Sequence, residues 1–367
     1  MMMQDRDFDI LMTLLRAGLW EKPVYDMSFF PLSDEQWRRI YVLSCEQTVS
    51  GLIYKGMSYL SKDMMPPEKE MVKWVTRIDK IERHNKRVNQ TLNILHSLFA
   101  KHSLSPILQK GHIVAQMYVN PILRESGDID FWFQPDQWSK ATELAVNIAG
   151  NVNKMADGSI NYCVNGVEVE HHQKFFDLQN PIKKSYLYTI FDGAENNAMY
   201  AGELRPGINR PSLLANMVLQ NTHILKHSLG MGIGLRQLCD LARTYYTLSG
   251  SYDGVQLQSV YTKLGLKKWS NMLHTYLVRH IGLERDYLPY ELERETSTGQ
   301  FENIVKRGGN FGLYNYSRVG VASSDNSLKR KINTFFSFLR SFHFAVNYAP
   351  IEFLCRVGDL TIGQLRR

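Results

Sequence analysis

From Gly127 onward the chain reads Asp128-Ile129-Asp130-Phe131-Trp132-Phe133, a strict two-residue alternation that an extended strand satisfies on both faces. Asp128, Asp130 and Trp132 fall on one face, and Ile129, Phe131 and Phe133 on the other. A strand with one apolar face has to be paired into a sheet and covered on that face, so a purely helical fold is excluded. Candidate partners lie close by in sequence. Ser105-Pro106-Ile107-Leu108-Gln109 is a short apolar strand candidate ended by Lys110-Gly111. Ser159 to His172 reads as a hairpin, because Asn165-Gly166 at its middle is the pair that a two-residue type I′ turn prefers. In its second strand Glu168, Glu170 and His172 share a face.

The rest of the chain has helical spacing. Ser33 and Gln36 form a capping-box pair ahead of Trp37, Ile40, Tyr41, Leu43 and Cys45. Pro66-Pro67 interrupts the pattern, and a long helix is predicted from about Glu68 to Lys101. His112 to Val119 resumes at helical spacing until Asn120-Pro121, and a further helix is predicted from Pro135 to Ala149, with proline at its first position. From Pro211 a helix runs to a glycine break at Gly230 to Gly234, read as a helix-helix turn, and resumes at Leu235. A Gly-rich turn is expected at Arg307 to Gly312. At 367 residues the chain is long enough for more than one packing unit. The expected organisation is a helical region over 1–102, an α/β core over 103–208 and a helical region over 209–367. The fold class is therefore α+β, a small mixed sheet flanked by helical segments.

Hydrophobic residues at 44% and charged residues at 22% exclude wholesale disorder. No apolar run approaches the roughly 18 residues of a spanning helix, and the N-terminus lacks a basic region followed by an apolar one. A soluble, cytoplasmic chain without membrane contact is expected. Cys45, Cys163, Cys239 and Cys355 are far apart and form no zinc or disulfide pattern, so they are expected to be reduced and mostly buried. The net charge of +7 suits an anionic partner, and the last 68 residues, with ten basic against four acidic, hold most of it. Lys329-Arg330-Lys331 in that region leaves nucleic-acid contact open, although such runs are more often solvated.

The chemistry concentrates on the acidic strand. Carboxylates at i and i+2 project from one face roughly 6.5–7 Å apart along the backbone, close enough for their oxygens to converge on cations. A third carboxylate from a neighbouring strand, Glu170 with Glu168 in reserve, would complete an oxygen-rich site suited to Mg²⁺ or Mn²⁺. Acids that close are costly unless a metal or a proton neutralises them. Gly111 sits at a strand-to-helix turn of the kind that holds phosphate oxygens, with Lys110 and Arg124 near in sequence to add positive charge. Together these features describe metal-assisted phosphate chemistry.

Lys110-Gly111, Pro121, Arg124, Gly127-Asp128-Ile129-Asp130, Glu170 with His172, His223, His227 and the run Leu235-Arg236-Gln237-Leu238-Cys239-Asp240 resemble the bacterial uncharacterised nucleotidyltransferase family, an offshoot of the DNA polymerase β-like nucleotidyltransferase superfamily. The resemblance implies a small mixed sheet with helices on one side. It also implies that Asp128 and Asp130 bind two divalent ions, that Glu170 completes the ion that activates the acceptor hydroxyl, and that the turn at Gly111 holds a nucleoside triphosphate, with Lys110, Arg124 and Gly127 as further nucleotide-binding residues. The product is a nucleoside monophosphate ester of a hydroxyl on a protein, RNA or small molecule, with pyrophosphate released. Glu168, His172, His223, His227, Arg236 and Asp240 are implied as supporting or substrate-contacting residues. One departure stands out: the wider superfamily has Gly-Ser or Gly-Gly at the phosphate turn, and this chain has Lys110-Gly111-His112.

Rival readings are weighed on the same residues. The departure at the turn motivates a catalytically degenerate protein that binds nucleotide or a macromolecular partner. A metal-dependent glycosyltransferase also uses Asp-x-Asp, but needs a nucleotide-binding α/β domain ahead of the motif, where this chain is helical. His223 and His227 have the i, i+4 spacing of zinc ligands without the glutamate a metalloprotease requires, so a helix-face role is expected. Arg236 and Asp240, also i, i+4, read as a surface pair on one helix.

Overall fold

Asn165 and Gly166 adopt φ of 52° and 71°, both left-handed as the type I′ turn demands, and they fold β4 (Ile160–Val164) back onto β5 (Val167–His172). In this computed structural model the acidic segment is β2 (Ile129–Trp132), which pairs in parallel with β5 and antiparallel with β1 (Ile107–Gln109). The described residues are 5–155, 157–191, 200–205, 208–230, 232–310 and 342–365. Among them the sheet has seven strands, adding β3 (Asn153–Lys154), β6 (Tyr200–Arg205) and β7 (Ile208–Pro211), in the order β3-β4-β5-β2-β1-β7-β6.

The helices in chain order are α1 (Asp5–Trp20), α2 (Asp34–Glu46), α3 (Ser50–Met57), α4 (Glu68–Lys101), α5 (Gly111–Ala115), α6 (Trp138–Ala149), α7 (Pro181–Phe191), α8 (Leu213–Ser228), α9 (Leu235–Thr247), α10 (Gly254–Lys263), α11 (Lys267–Tyr276) and α12 (Gly299–Gly308), followed by a C-terminal helix at Pro350–Leu365. The fold is α+β, and no described helix is long and apolar enough to cross a membrane. The chain divides into two compact units: one of Met1–Ile81, Leu123–Glu125 and Ile224–Phe353, the other of Glu82–Ile122, Ser126–His223 and Leu354–Arg367.

The sheet belongs to the second unit, and one of its faces makes that unit's core. Ile129, Phe131 and Phe133 from β2 and the residue after it, Val167 and Val169 from β5, and Ile160, Tyr162 and Val164 from β4 point to this face. Val88, Leu92, Leu95 and Phe99 of α4 cover it at helical spacing, with Ala141, Leu144 and Ala145 of α6. Phe99 packs edge-on against both Phe131 and Phe133. His171 shares this face, fully buried among Phe99, Phe131 and Phe133, with its Nε2 2.8 Å from the Tyr162 hydroxyl.

In the helical unit the capping box forms as read: Gln36 N–H donates to Ser33 Oγ at 3.3 Å and Ser33 N–H to Gln36 Oε1 at 2.9 Å. α1 and α3 meet at backbone contact, because a Cβ at Gly18 would lie 1.9 Å from the Leu52 carbonyl oxygen and one at Gly56 2.1 Å from that of Leu14. The long helix occupies Glu68–Lys101.

Several expectations are corrected. α5 stops at Ala115, well short of Asn120, and α6 starts at Trp138 after its N-cap Gln137, whose side chain accepts from the Ser105 N–H at 3.0 Å and donates to Ser105 Oγ at 3.1 Å. Pro211 ends a strand, and α8 begins after Ser212, whose Oγ accepts the Ala215 N–H at 3.3 Å. Of the cysteines only Cys239 is buried; Cys45 and Cys355 are half-buried and Cys163 is exposed. Lys329-Arg330-Lys331 and the end of the Gly-rich turn from Phe311 lie outside the described residues.

Burial lowers the pKa of His171 to about 3, with the neighbouring His172 charge acting in the same direction. The unfolded chain, with His171 near the ordinary 6.5, therefore binds more protons than the folded one between those values, and stability falls as pH falls through that window. Urea unfolding of His171→Leu between pH 6.5 and 4 is expected to show a pH slope shallower by about 1.4 kcal/mol per pH unit than the parent.

Candidate active site

Alternation along β2 and β5 sends the apolar residues to the core and leaves Asp130, Trp132, Glu168, Glu170 and His172 on the opposite face. Register then decides which of them meet. Asp130 is directly across from Glu170, and Trp132 across from His172. Asp130 also faces Gln109, the last residue of β1, and the chain turns immediately afterwards at Lys110.

Three side chains converge: Asp130, Glu170 and His172 each offer one ligand atom, all within 4.8 Å of one another. His172 Nε2 lies 2.6 Å from Asp130 Oδ1, and its Nδ1 3.7 Å from Glu170 Oε1. Glu170 Oε1 also accepts from Ser159 Oγ at 2.7 Å, and the same hydroxyl lies 2.7 Å from Asp157 Oδ1. Glu168 is placed differently: exposed, it accepts from Asn161 Nδ2 on β4 at 2.7 Å. Asp128, one residue ahead of β2, is exposed at the rim and is not among the three converging residues.

Lys110 adds a cation from below. It has φ 50° and ψ −122°, a conformation that side chains rarely adopt, and at this turn its Nζ is brought 3.2 Å from Asp130 Oδ1 and 3.5 Å from His172 Nε2. Burial by itself would lower the Lys110 pKa, but the charges of Asp130, Asp177, Asp128 and Glu170 outweigh it and raise the amine above its ordinary value. Burial likewise works against the Asp130 carboxylate; the Lys110 charge, then the hydrogen bond and charge of His172 and the charge of His223, hold it ionised well below the usual range. The two carboxylates and the imidazole fit a divalent cation. Their mixed oxygen and nitrogen donors suit Mn²⁺ better than Mg²⁺, which favours oxygen alone.

The remaining candidate residues occupy distinct places. Gly111 opens α5, a helix of five residues, and the Gly127 carbonyl faces His84 Nε2 at 3.2 Å. His223 of α8 is half-buried, its Nδ1 2.7 Å from Asp177 Oδ2, whereas His227 is buried. Arg124 is expected at the phosphates, but its guanidinium grips the buried Asp240 through Nε at 2.7 Å and a second nitrogen at 2.6 Å. Asp240 is thus no surface partner of Arg236, which instead donates to the Glu125 carbonyl at 2.9 Å. Sequence reasoning missed Asp177 and Ser159. Ser159 opens the segment read as a hairpin, immediately ahead of β4, and its tie to Glu170 follows from the pairing of β4 with β5; Asp177 sits in a segment without periodicity and carries no local signal.

Removing the arginine of a buried pair leaves the carboxylate uncompensated. Arg124→Met is expected to cost about 3–5 kcal/mol in urea unfolding, and Arg124→Met with Asp240→Leu to recover most of that loss.

Compared with known families, residues 33–281 match the model of a family described as uncharacterised nucleotidyltransferase. Neither a curated protein nor a solved structure matches the chain.

Proposed function

The chain belongs to the uncharacterised nucleotidyltransferase family, and we propose that the acidic site moves a nucleoside monophosphate from a nucleoside triphosphate to a hydroxyl acceptor, releasing pyrophosphate. The observation that carries this reading is the convergence of Asp130, Glu170 and His172 on one face of the sheet. Those three side chains would hold a divalent cation, with Mn²⁺ favoured over Mg²⁺, and Asp128 at the rim with Asp130 is the pair to hold a second. Such ions, when bound, neutralise phosphate oxygens and align the attacking and leaving oxygens.

The protein's own groups have separate tasks in this reading. Asp130 stays ionised at neutral pH, because Lys110 and His172 stabilise its charge against burial. Ser159 fixes the Glu170 carboxylate by hydrogen bond and so sets the direction in which its oxygens point. Lys110 stays protonated and offers an ammonium beside the turn at Gly111, where triphosphate oxygens would gather. Arg124 is outside this list of tasks: its bidentate pairing with Asp240 assigns it to folding.

One observation favours a second reading. The Lys110 ammonium already pairs with Asp130, as in a site where a lysine has replaced the metal's charge, and such a protein would bind nucleotide without turnover.

The two readings separate in one experiment with the four nucleoside triphosphates labelled at the α-phosphate, Mn²⁺, and water or added alcohols as acceptor. Transfer predicts pyrophosphate release that falls by more than about a hundredfold in Asp130→Asn and in Glu170→Gln, with folding retained. Nucleotide binding without pyrophosphate release in the parent protein would support the second reading and overturn the first.

A further inference from the structure

α5 leaves the end of β1, and the chain from Asn120 to Asp128 leads into the start of β2. Gln109 and Asp130 are register partners, so both segments emerge from the same end of the sheet. Between them and α4 lies a pocket of about 200 Å³. Asn85 and Asn89 of α4, His112 of α5, Gln116 directly after it, and Asn120 and Ser126 of the entering segment supply its polar lining. Val88 and Ala115 add apolar surface. The wall is held in place by α4 at two points: Asn85 Nδ2 donates to the Ile122 carbonyl at 2.7 Å, and His84 Nε2 lies 3.2 Å from the Gly127 carbonyl. Asp128 joins the pocket to the cation site, two residues from Ser126 and two from Asp130, and His112 is likewise two residues from Lys110. Two residues of chain span at most about 7 Å. Pocket and site are therefore neighbours around the end of the sheet, with the acids on its polar face and α4 on its apolar one.

We infer that this pocket holds the nucleobase of the donor nucleotide, and that the preferred base is adenine. Pockets that enclose a whole small ligand run to about 300–1,000 Å³, so this one takes a single ring system of a larger molecule. No Asp, Glu, Lys or Arg lines it, which leaves neither a phosphate nor a cationic group a counter-charge there. The side-chain amides of Asn89, Gln116 and Asn120 have no hydrogen-bond partner among the described residues, and each presents a donor beside an acceptor. Adenine offers the matching pair, its N6 amine and N7, to an Asn or Gln, whereas guanine is read by Arg or Lys and cytosine by Asp or Glu. The inference rests on the reading of the chain as one that takes nucleoside triphosphates.

The test is calorimetric titration of the full chain, in Mn²⁺, with the four nucleoside triphosphates and with inorganic tripolyphosphate, which carries the phosphates and no base. The parent is expected to bind ATP most tightly, and more tightly than tripolyphosphate. Asn89→Ala and Gln116→Ala, both at exposed positions, should each weaken ATP by about 5- to 150-fold, the range of one good two-fold pair. Tripolyphosphate binding and the melting temperature should stay at the parent values, and the differences among the four nucleotides should narrow. Gln116→Glu keeps the shape but loses the donor, so it should weaken ATP as well.

Unchanged ATP binding in all three variants, loss of tripolyphosphate in step with ATP, or equal binding of the four nucleotides by the parent would overturn the adenine pocket and leave the transferase reading standing. The expected binding pattern without pyrophosphate release would uphold the pocket and overturn the transferase reading. No binding of any nucleotide by the parent would overturn both.

Discussion

Parallel pairing of β2 with β5 sets Asp130 opposite Glu170, and most of the site's chemistry is a response to that one juxtaposition. Two carboxylates held that close repel each other, more strongly where burial thins the surrounding water. The chain answers with the Lys110 ammonium from the turn after β1 and with a hydrogen bond from the His172 imidazole two residues along β5. The sheet cannot relax the repulsion by moving Asp130 away, since a one-residue slip would send Ile129 and Phe131 to the polar face and Asp130 into the core. The apolar side of the sheet therefore holds the charged side in place.

The adjacent histidines show the same constraint at single-residue scale. His171 points into the core, where burial keeps it neutral and it meets the Tyr162 hydroxyl. His172 points to the other face and joins Asp130 and Glu170. Residue type is identical; strand alternation alone separates a packing role from a site role.

This explains how much could be read from the sequence. The acidic strand, its apolar reverse, the Asn165-Gly166 turn, the capping box at Ser33 and the long helix from Glu68 were legible because each rests on local spacing or on a dihedral that few residues adopt. The meeting of Glu170 with Asp130 was legible as a neighbouring acidic strand, but the choice between Glu168 and Glu170 was not, since it depends on register across two strands distant in sequence. Arg124 with Asp240, separated by 116 residues, and Asp177 with His223 were beyond reach for the same reason. β6 and β7 escaped because their pairing is interrupted by register shifts, which blur the two-residue alternation.

The central claim is that Asp130, Glu170 and His172 form one cation site on the polar face of the sheet. Pulsed electron paramagnetic resonance of Mn²⁺ bound to the protein tests it directly, because a coordinated imidazole imprints its nitrogen on the signal. The account predicts one imidazole nitrogen coupling in the parent, its disappearance in His172→Gln, and loss of bound Mn²⁺ when Asp130 and Glu170 are both replaced by alanine. Mn²⁺ bound without nitrogen coupling, or bound equally well by the double variant, would contradict it.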